Sequence, residues 1–376
     1  MTNHAVLSAS ASHRWLNCPP SVRLTERIPD NGSIYAAEGS EAHELCEFKL
    51  RQLLGMEAHN PLDTPIGLQY YDGTMEDAAT GYAAFVLELL EEIRKTCSDP
   101  IVMVEQKLDY SRWVKDGYGT GDAVIVADGT LHVVDFKYGT GVLVSAEGNS
   151  QMRLYALGAL DMFGELYDID TVVTTIYQPR LASISTDTIS KTDLLDWAEN
   201  TLRPLADQAY KGEGDLNAGS WCRFCKLRNI CRKRAEANLA MAQHDFKLPP
   251  TLSDEEIAVI LDKLGDLISW AGDVKEYALN AALHGTRFHG WKLVEGRSNR
   301  RYTDETAVAQ IVSGTGHDPY EHKLLGITAM EKLLGKKQFA TLLSDLVERP
   351  QGKPVLVPAS DKRPEMTNAK NDFANN

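Results

Sequence analysis

Residues 119–137 read GTGDAVIVADGTLHVVDFK. Asp122 opens one short β-rich run, Ala123–Val126, and Asp135 falls near the end of the next, Leu131–Phe136. The Asp128-Gly129 step between the runs is a hairpin signal. A hairpin there brings both carboxylates to one end of a sheet. Lys137 lies two residues after Asp135, on the same side of an extended chain. Two carboxylates and an ammonium suit a hard divalent cation, Mg²⁺ or Mn²⁺, bound to a phosphate. The lysine would orient or deprotonate water, or stabilise the charge that grows as phosphorus is attacked. Asp-x-Lys is a common tripeptide and gains meaning only from its surroundings.

Those surroundings supply further groups. Gln151 and Tyr155 are four apart in a helical pattern, Ser150–Phe163, and so share a face. His43 sits in the helical stretch EGSEAHELCE. A lone histidine is ordinarily a core or surface residue, and equally a metal ligand. Glu105 ends the first β-rich run and reads as an exposed strand residue or a further acid of the site. Glu47, one turn from His43, reads first as helix surface and second as a support for the ligands.

The six cysteines are Cys18, Cys46, Cys97, Cys222, Cys225 and Cys231. They are too few and too clustered for a disulfide scaffold. Cys222-x-x-Cys225-x5-Cys231 places three thiolates at ligand spacing, and a tetrahedral site needs a fourth. Cys18, in HRWLNCPPSV, is the natural candidate. Thiolates alone do not decide between zinc and an iron–sulfur cluster. Cys46 and Cys97 fall in helical patterns and read as core thiols. Between Cys222 and Arg234 lie Arg223, Lys226, Arg228, Arg232 and Lys233 with no acid, and Trp221 and Phe224 are interleaved. Such a segment tracks a phosphate backbone and stacks on bases, or is simply a solvated helix face. A second basic cluster is Arg297, Arg300 and Arg301.

The elements that must position these groups follow from periodicity. Helices are expected at 8–17 with a serine cap, 35–54 ending at Gly55, 75–97, 150–163 and 192–211. Strands are expected at 101–104, 123–126, 131–136, 171–177 and 182–189. This order indicates a mixed α/β domain over 1–245. A mainly helical region follows over 246–349. It holds one long helix or two from Leu252 to His284, a β-like piece at Phe288–Val294, and shorter helices near 305–312, 328–334 and 337–346. Lys-Leu-Leu-Gly occurs twice there, which reads as two glycine-ended helices and not a repeat array. The tail, 350–376, reads as extended or disordered.

With 376 residues, 43% hydrophobic and 24% charged, the chain has ample material for a core. No apolar run reaches membrane-spanning length, and no secretory signal opens the sequence, so a cytoplasmic setting is expected. The net charge of -14 is the reverse of the basic footprint common in nucleic-acid binders, although net charge says nothing about its distribution. Gly335-Lys336-Lys337 lacks the upstream glycine of a phosphate loop, so no built-in ATP motor is expected.

Taken in order, Gly39-x-x-x-His43, Gly119-x-x-Asp122, Asp135-x-Lys137 and Gln151-x-x-x-Tyr155 resemble the RecB-type branch of the PD-(D/E)XK nuclease superfamily, over about residues 8–235. The resemblance implies a central mixed sheet flanked by helices. It implies a metal held by His43, Asp122, Asp135 and the carbonyl of Phe136, with Lys137 catalytic, Gln151 and Tyr155 positioning the site or the strand, and Glu105 at a position where a glutamate is often found. Cys18 with Cys222, Cys225 and Cys231 resembles the iron–sulfur subgroup of that branch, which implies a four-iron, four-sulfur cluster acting as a staple, with zinc as the alternative. The opening SxSxxHRWLNCP, the YAAEGxxAHEL helix and the closing GKPxLVPxSDKRP also look like phage and prophage proteins of recombination modules. The expected function is a metal-dependent DNA exonuclease that binds DNA through Arg223, Lys226, Arg228 and Arg232, with a single-strand annealing or single-strand-binding protein as partner. The rival expectations are a non-catalytic DNA-binding or scaffold protein on the same fold, and a zinc-stabilised adaptor. Polarity, strand preference and oligomeric state are not legible.

Overall fold

The computed structural model describes residues 5–29, 32–242, 253–294, 303–315, 317–320 and 325–347. The basic cluster at 297–301 and the tail from 350 lie outside the described residues. The chain divides into two compact units, one running to Ala281 and the other starting at Ala282.

The first unit is a mixed α/β structure built on one five-stranded sheet. Its strands are β1 (Ile101–Asp109), β2 (Tyr118–Ala127), β3 (Gly129–Phe136), β4 (Ile169–Gln178) and β5 (Ser183–Ser190), in spatial order 1-2-3-4-5. β1–β2, β2–β3 and β4–β5 are antiparallel. β3 and β4 are parallel, and their crossover carries helix α5 (Ser150–Phe163). Gly129 takes the left-handed conformation (φ 81°) that the tight β2–β3 connection requires.

Strand alternation sends residues to two cores. Val124, Val126, Leu131 and Val133 face α5 together with α1 (Ser12–Asn17), α6 (Lys191–Trp197) and α7 (Arg203–Lys211). Ala123, Ile125, Val134 and Phe136 face α3 (Ile34–Leu53) and α4 (Gly73–Ile93). α4 buries Ala78, Ala79, Tyr82, Ala83, Val86 and Leu90, an apolar stripe at helical spacing. Caps fix where these helices begin. Ser33 Oγ accepts the Ala36 N–H at 3.0 Å, Asp72 Oδ1 accepts the Met75 N–H at 2.8 Å, and Asn149 Oδ1 accepts the Gln151 N–H at 3.0 Å.

Three local expectations change. Ser8 does not cap with its side chain; a 3₁₀ turn (Ala9–Ala11) precedes α1, and the Ser8 carbonyl instead accepts the Trp15 indole N–H at 3.0 Å. The helix expected over 192–211 is interrupted by a π-helical turn at Ala198–Leu202, just before Pro204, which has no N–H to continue the ladder. Phe288–Val294 forms no strand, because nothing pairs with it among the described residues and Trp291 is 84% exposed.

α2 (Ser21–Thr25) follows α1, and α8 (Arg232–Ala242) follows the cysteine segment. α9 (Asp254–Leu283) is one unbroken helix, and all but its last two residues belong to the first unit. The second unit contains α10 (Glu305–Gly314), α11 (Ile327–Leu334) and α12 (Lys336–Leu343). Gly335, at φ 75°, separates the last two. Among the described residues no helix is long and apolar enough to cross a membrane.

Candidate functional site

The β1–β2 ladder pairs Val104 with Ala123 and Gln106 with Gly121, and is interrupted only between them, where Glu105 stands opposite Asp122. The β2–β3 ladder ends at Ala123 and Val134, one step short of Asp122 and Asp135. Asp122 therefore sits where both of its neighbours part from it. Its Oδ2 accepts the Phe136 N–H at 2.6 Å, and its Oδ1 lies 3.2 Å from His43 Nδ1 on α3. Glu105 adopts φ 52°, a left-handed conformation that L side chains rarely adopt and one that costs roughly 1–3 kcal/mol. Its carboxylate joins His43 and Asp122 in a group whose ligand atoms all lie within 4.8 Å of one another. Glu105 thus joins His43 and Asp122 in this group, and Asp135, which the sequence reading also placed among the ligands, lies beside it paired with Lys137.

Asp135 is 2% exposed and is held in a polar ring. Lys137 Nζ stands 2.8 Å from its Oδ2. Lys137 also donates to Gln151 Oε1 at 3.2 Å, and Gln151 Nε2 donates to Asp135 Oδ1 at 3.2 Å and to Tyr155 Oη at 3.1 Å. Gln151 and Tyr155 come from α5, so each face of the sheet supplies part of the site. The Phe136 ring packs edge-on to His43, with centroids 5.4 Å apart.

Charge is crowded here. Burial would lower the His43 pKa, but the carboxylates of Asp122 and Asp135 overcome it and raise it to about 9. Burial, and then Asp122, raise Glu105 to about 8. Burial also opposes ionisation of Asp122, yet His43 and Lys137 hold its pKa below the usual carboxylate range. Burial and Asp122 together lift Asp135, with Lys137 opposing. Burial would lower Lys137, and Asp135 raises it instead. Two buried aspartates and the half-buried Glu105 against one histidine and one lysine make a cage that favours a cation. Glu47 does not reach this group; it pairs with Arg51 at 2.8 Å, and Arg51 donates to the Val104 carbonyl at 3.0 Å, bracing β1 beside Glu105.

Cys18, Cys222, Cys225 and Cys231 line one cavity of about 220 Å³, closed by Arg14, Leu24, Trp221, Leu227 and other side chains. Burial raises the Cys225 thiol, and the nearby Cys231 and Cys18 add to it; Cys222 responds likewise to Cys225 and Cys231. The N-terminal and cysteine segments meet elsewhere through small contacts: His13 against the Trp221 ring with centroids 5.7 Å apart, and Asn217 donating to the Asn17 carbonyl at 3.1 Å. Cys46, on the buried face of α3, and Cys97, just after α4, pack in the same core and do not line this cavity.

The basic run divides into three parts. Arg234 is 3% exposed and ion-pairs with Asp273 of α9; Arg228 pairs with the same carboxylate at 3.1 Å. Arg232 lines the cysteine cavity. Arg223 and Lys226 are exposed, Lys226 donating to the Ile28 carbonyl at 3.0 Å. Asp273 was invisible to sequence reasoning because it lies 39 residues beyond Arg234, in a different helix.

A family model described as "Protein of unknown function (DUF2800)" matches residues 4–364. The chain belongs to the DUF2800 family. This DUF2800 chain is also similar to a solved structure described as "Crystal structure of SSO0001", at 14% identity, covering 59% of this chain and 96% of that one, with a TM-score of 0.26.

Proposed function

We propose that this protein is a divalent-cation-dependent deoxyribonuclease with a PD-(D/E)XK core of the RecB type, acting as an exonuclease in DNA recombination or repair of phage character. The observation that carries the reading is the meeting of His43, Glu105 and Asp122 within 4.8 Å beside an Asp135–Lys137 pair clasped by Gln151. Helix α3, strands β1, β2 and β3 and helix α5 all contribute, and a structural salt bridge needs no such convergence.

The residues present fit a divalent cation. The ligand set is hard oxygen with one imidazole, in a place where acids exceed their counter-ions. His43, Glu105 and Asp122 would hold the ion, with Asp135 and the Phe136 carbonyl adjoining. When bound, Mg²⁺ or Mn²⁺ supplies Lewis-acid neutralisation of phosphate charge. Lys137, fixed from two sides by Asp135 and Gln151, then orients the attacking water and stabilises charge on the phosphate oxygens. Gln151 keeps Lys137 from swinging away, and Tyr155 holds Gln151 in turn.

The cysteine cavity fits a four-iron, four-sulfur cluster in the same reading. Four thiolates around one zinc ion stand roughly 3.8 Å apart and leave no space between them. Here the four cysteines share a cavity of about 220 Å³ with eleven other lining residues, room enough for a cluster. The cluster's part is structural, joining the chain near residue 18 to residues 222–231.

The test is cleavage of end-labelled linear and closed circular DNA with Mn²⁺. Wild type should degrade the linear form and spare the closed circle. Asp135→Asn and Lys137→Ala should each lose about 10²–10⁴-fold in rate. Folded wild-type protein that cleaves no DNA form sinks the enzymatic reading. A brown protein absorbing near 400 nm supports the cluster, and stoichiometric zinc without colour rejects it.

A further inference from the structure

Tyr82, on α4, is 1% exposed, and its hydroxyl has no hydrogen-bond partner among the described residues. A hydroxyl taken out of water and left unbonded is destabilising, and phenylalanine would fill the same space without that cost. The side chain lies behind the metal centre. Its ring meets the Phe136 ring edge-on with centroids 5.3 Å apart, and Phe136 in turn meets His43 at 5.4 Å. The core that holds Tyr82 also holds Ala42 and Cys46, on either side of His43 along α3. Val104 and Ala123, the pair next to Glu105 and Asp122, are buried there too. Burial raises the Tyr82 pKa well above the ordinary tyrosine range, and Asp122, Cys46, Asp135 and Glu105 raise it further, in that order. The hydroxyl therefore keeps its proton and stands, as a donor, within electrostatic reach of all three acids of the site.

Asp122, the acid that acts on this hydroxyl most, uses Oδ2 for the Phe136 N–H at 2.6 Å and Oδ1 for His43 at 3.2 Å. Each carboxylate oxygen has two acceptor positions, so Asp122 has room for a further donor. A cation that takes both His43 and Asp122 as ligands puts itself in place of their mutual bond. A ligating carboxylate is then oriented by the hydrogen bonds it receives from behind. We propose that Tyr82 is a positioning residue of the metal centre: with a divalent cation bound, its hydroxyl donates to Asp122 and holds that carboxylate in its ligating position from the α4 side. The inference rests on the cation-binding part of the nuclease reading. It goes further by assigning Asp122 a supporting donor and giving α4 a share in the site.

Calorimetric titration of the full chain with Mn²⁺, in wild type and in Tyr82→Phe, tests it. The dissociation constant should rise about 10–100-fold in the variant. Its urea midpoint in chelator should be unchanged or higher, because only an unbonded hydroxyl is removed. Phe85→Leu is the control: the Phe85 ring packs on Tyr177 at 5.3 Å against the same core and carries no hydroxyl. That change should lower the midpoint and keep the wild-type Mn²⁺ affinity. Wild-type affinity in Tyr82→Phe overturns the assignment. A lowered midpoint of Tyr82→Phe in chelator also overturns it, since the hydroxyl would then support the fold. An equal loss of affinity in Phe85→Leu overturns it as well, by tracing the effect to packing. Weaker Mn²⁺ binding in Tyr82→Phe, beside a wild type that cleaves no DNA, rejects the hydrolytic reading and keeps the positioning role. A wild type that binds no Mn²⁺ rejects both.

Discussion

Glu105 is the residue at which geometry and chemistry disagree most openly. A glutamate at φ 52° is strained, and its pKa of about 8 shows a carboxyl held against burial and a neighbouring acid. A group kept at a cost in both respects is what the proposed ligand cage calls for. Glu105→Gly should therefore stabilise the cation-free protein by about 1 kcal/mol, since glycine tolerates that backbone and removes the crowded charge. The same change should weaken Mn²⁺ binding at least tenfold. Urea denaturation in chelator and calorimetric titration of the metal check the two halves. A loss of stability would mean that Glu105 supports the strand. Sequence alone left Glu105 open between an exposed strand residue and a further acid of the site, because one letter in a β-rich run carries no φ value. His43, Asp122, Asp135, Lys137, Gln151 and Tyr155 were legible because their spacings within four separate segments are preserved in the chain itself.

At the scale of elements, the site depends on how closely α5 lies on the sheet. A Cβ on Gly158 would come within 2.9 Å of Leu108 Cβ and 3.2 Å of the Asp109 backbone nitrogen. A Cβ on Gly119 would stand 2.7 Å from the Tyr155 ring. The glycines let α5 approach until Gln151 reaches Lys137. Gly158→Val should cost about 1–3 kcal/mol and slow catalysis together, by lifting α5 and loosening the Gln151 bridge. Thermal denaturation and the cleavage rate measure this; stability lost with an unchanged rate would disconnect the two. Periodicity located α3, α4 and α5 to within a few residues because each has a strong apolar stripe and a clear cap. It missed the π-helical turn at 198–202, where backbone bonding near a proline and not side-chain pattern decides. It also assigned a strand to Phe288–Val294, whose alternating apolar residues have no partner strand among the described residues.

For the whole molecule, the net charge of -14 is a poor guide to partners because the charges are sorted. Acids gather at the cage, and Arg223 and Lys226 are left exposed beside a cavity. Arg228 and Arg234 turn inward to Asp273, so the basic run is smaller in effect than in composition. The cysteine cavity joins chain positions about 200 residues apart. If the cavity holds the proposed cluster, Cys225→Ser should abolish the visible absorbance and lower the melting temperature of the first unit by several degrees, corresponding to a few kcal/mol. Absorption and differential scanning calorimetry are the readouts, and unchanged values in both would remove Cys225 from the ligand set.

The break in the ladder at Glu105 and Asp122 has a mechanical meaning as well. β2 and β3 are paired only as far as Ala123 and Val134, and the β1–β2 pairing skips Glu105 and Asp122 before it resumes at Gln106 and Gly121. A cation gripped by Glu105 on one strand, Asp122 on the next and His43 from the helix above would act as a rivet across an open seam. Its removal should loosen the seam before anything else. Amide hydrogen exchange at Val104, Gln106 and Ala123 should then quicken on chelation, while the β4–β5 edge, far from the rivet, keeps its rate.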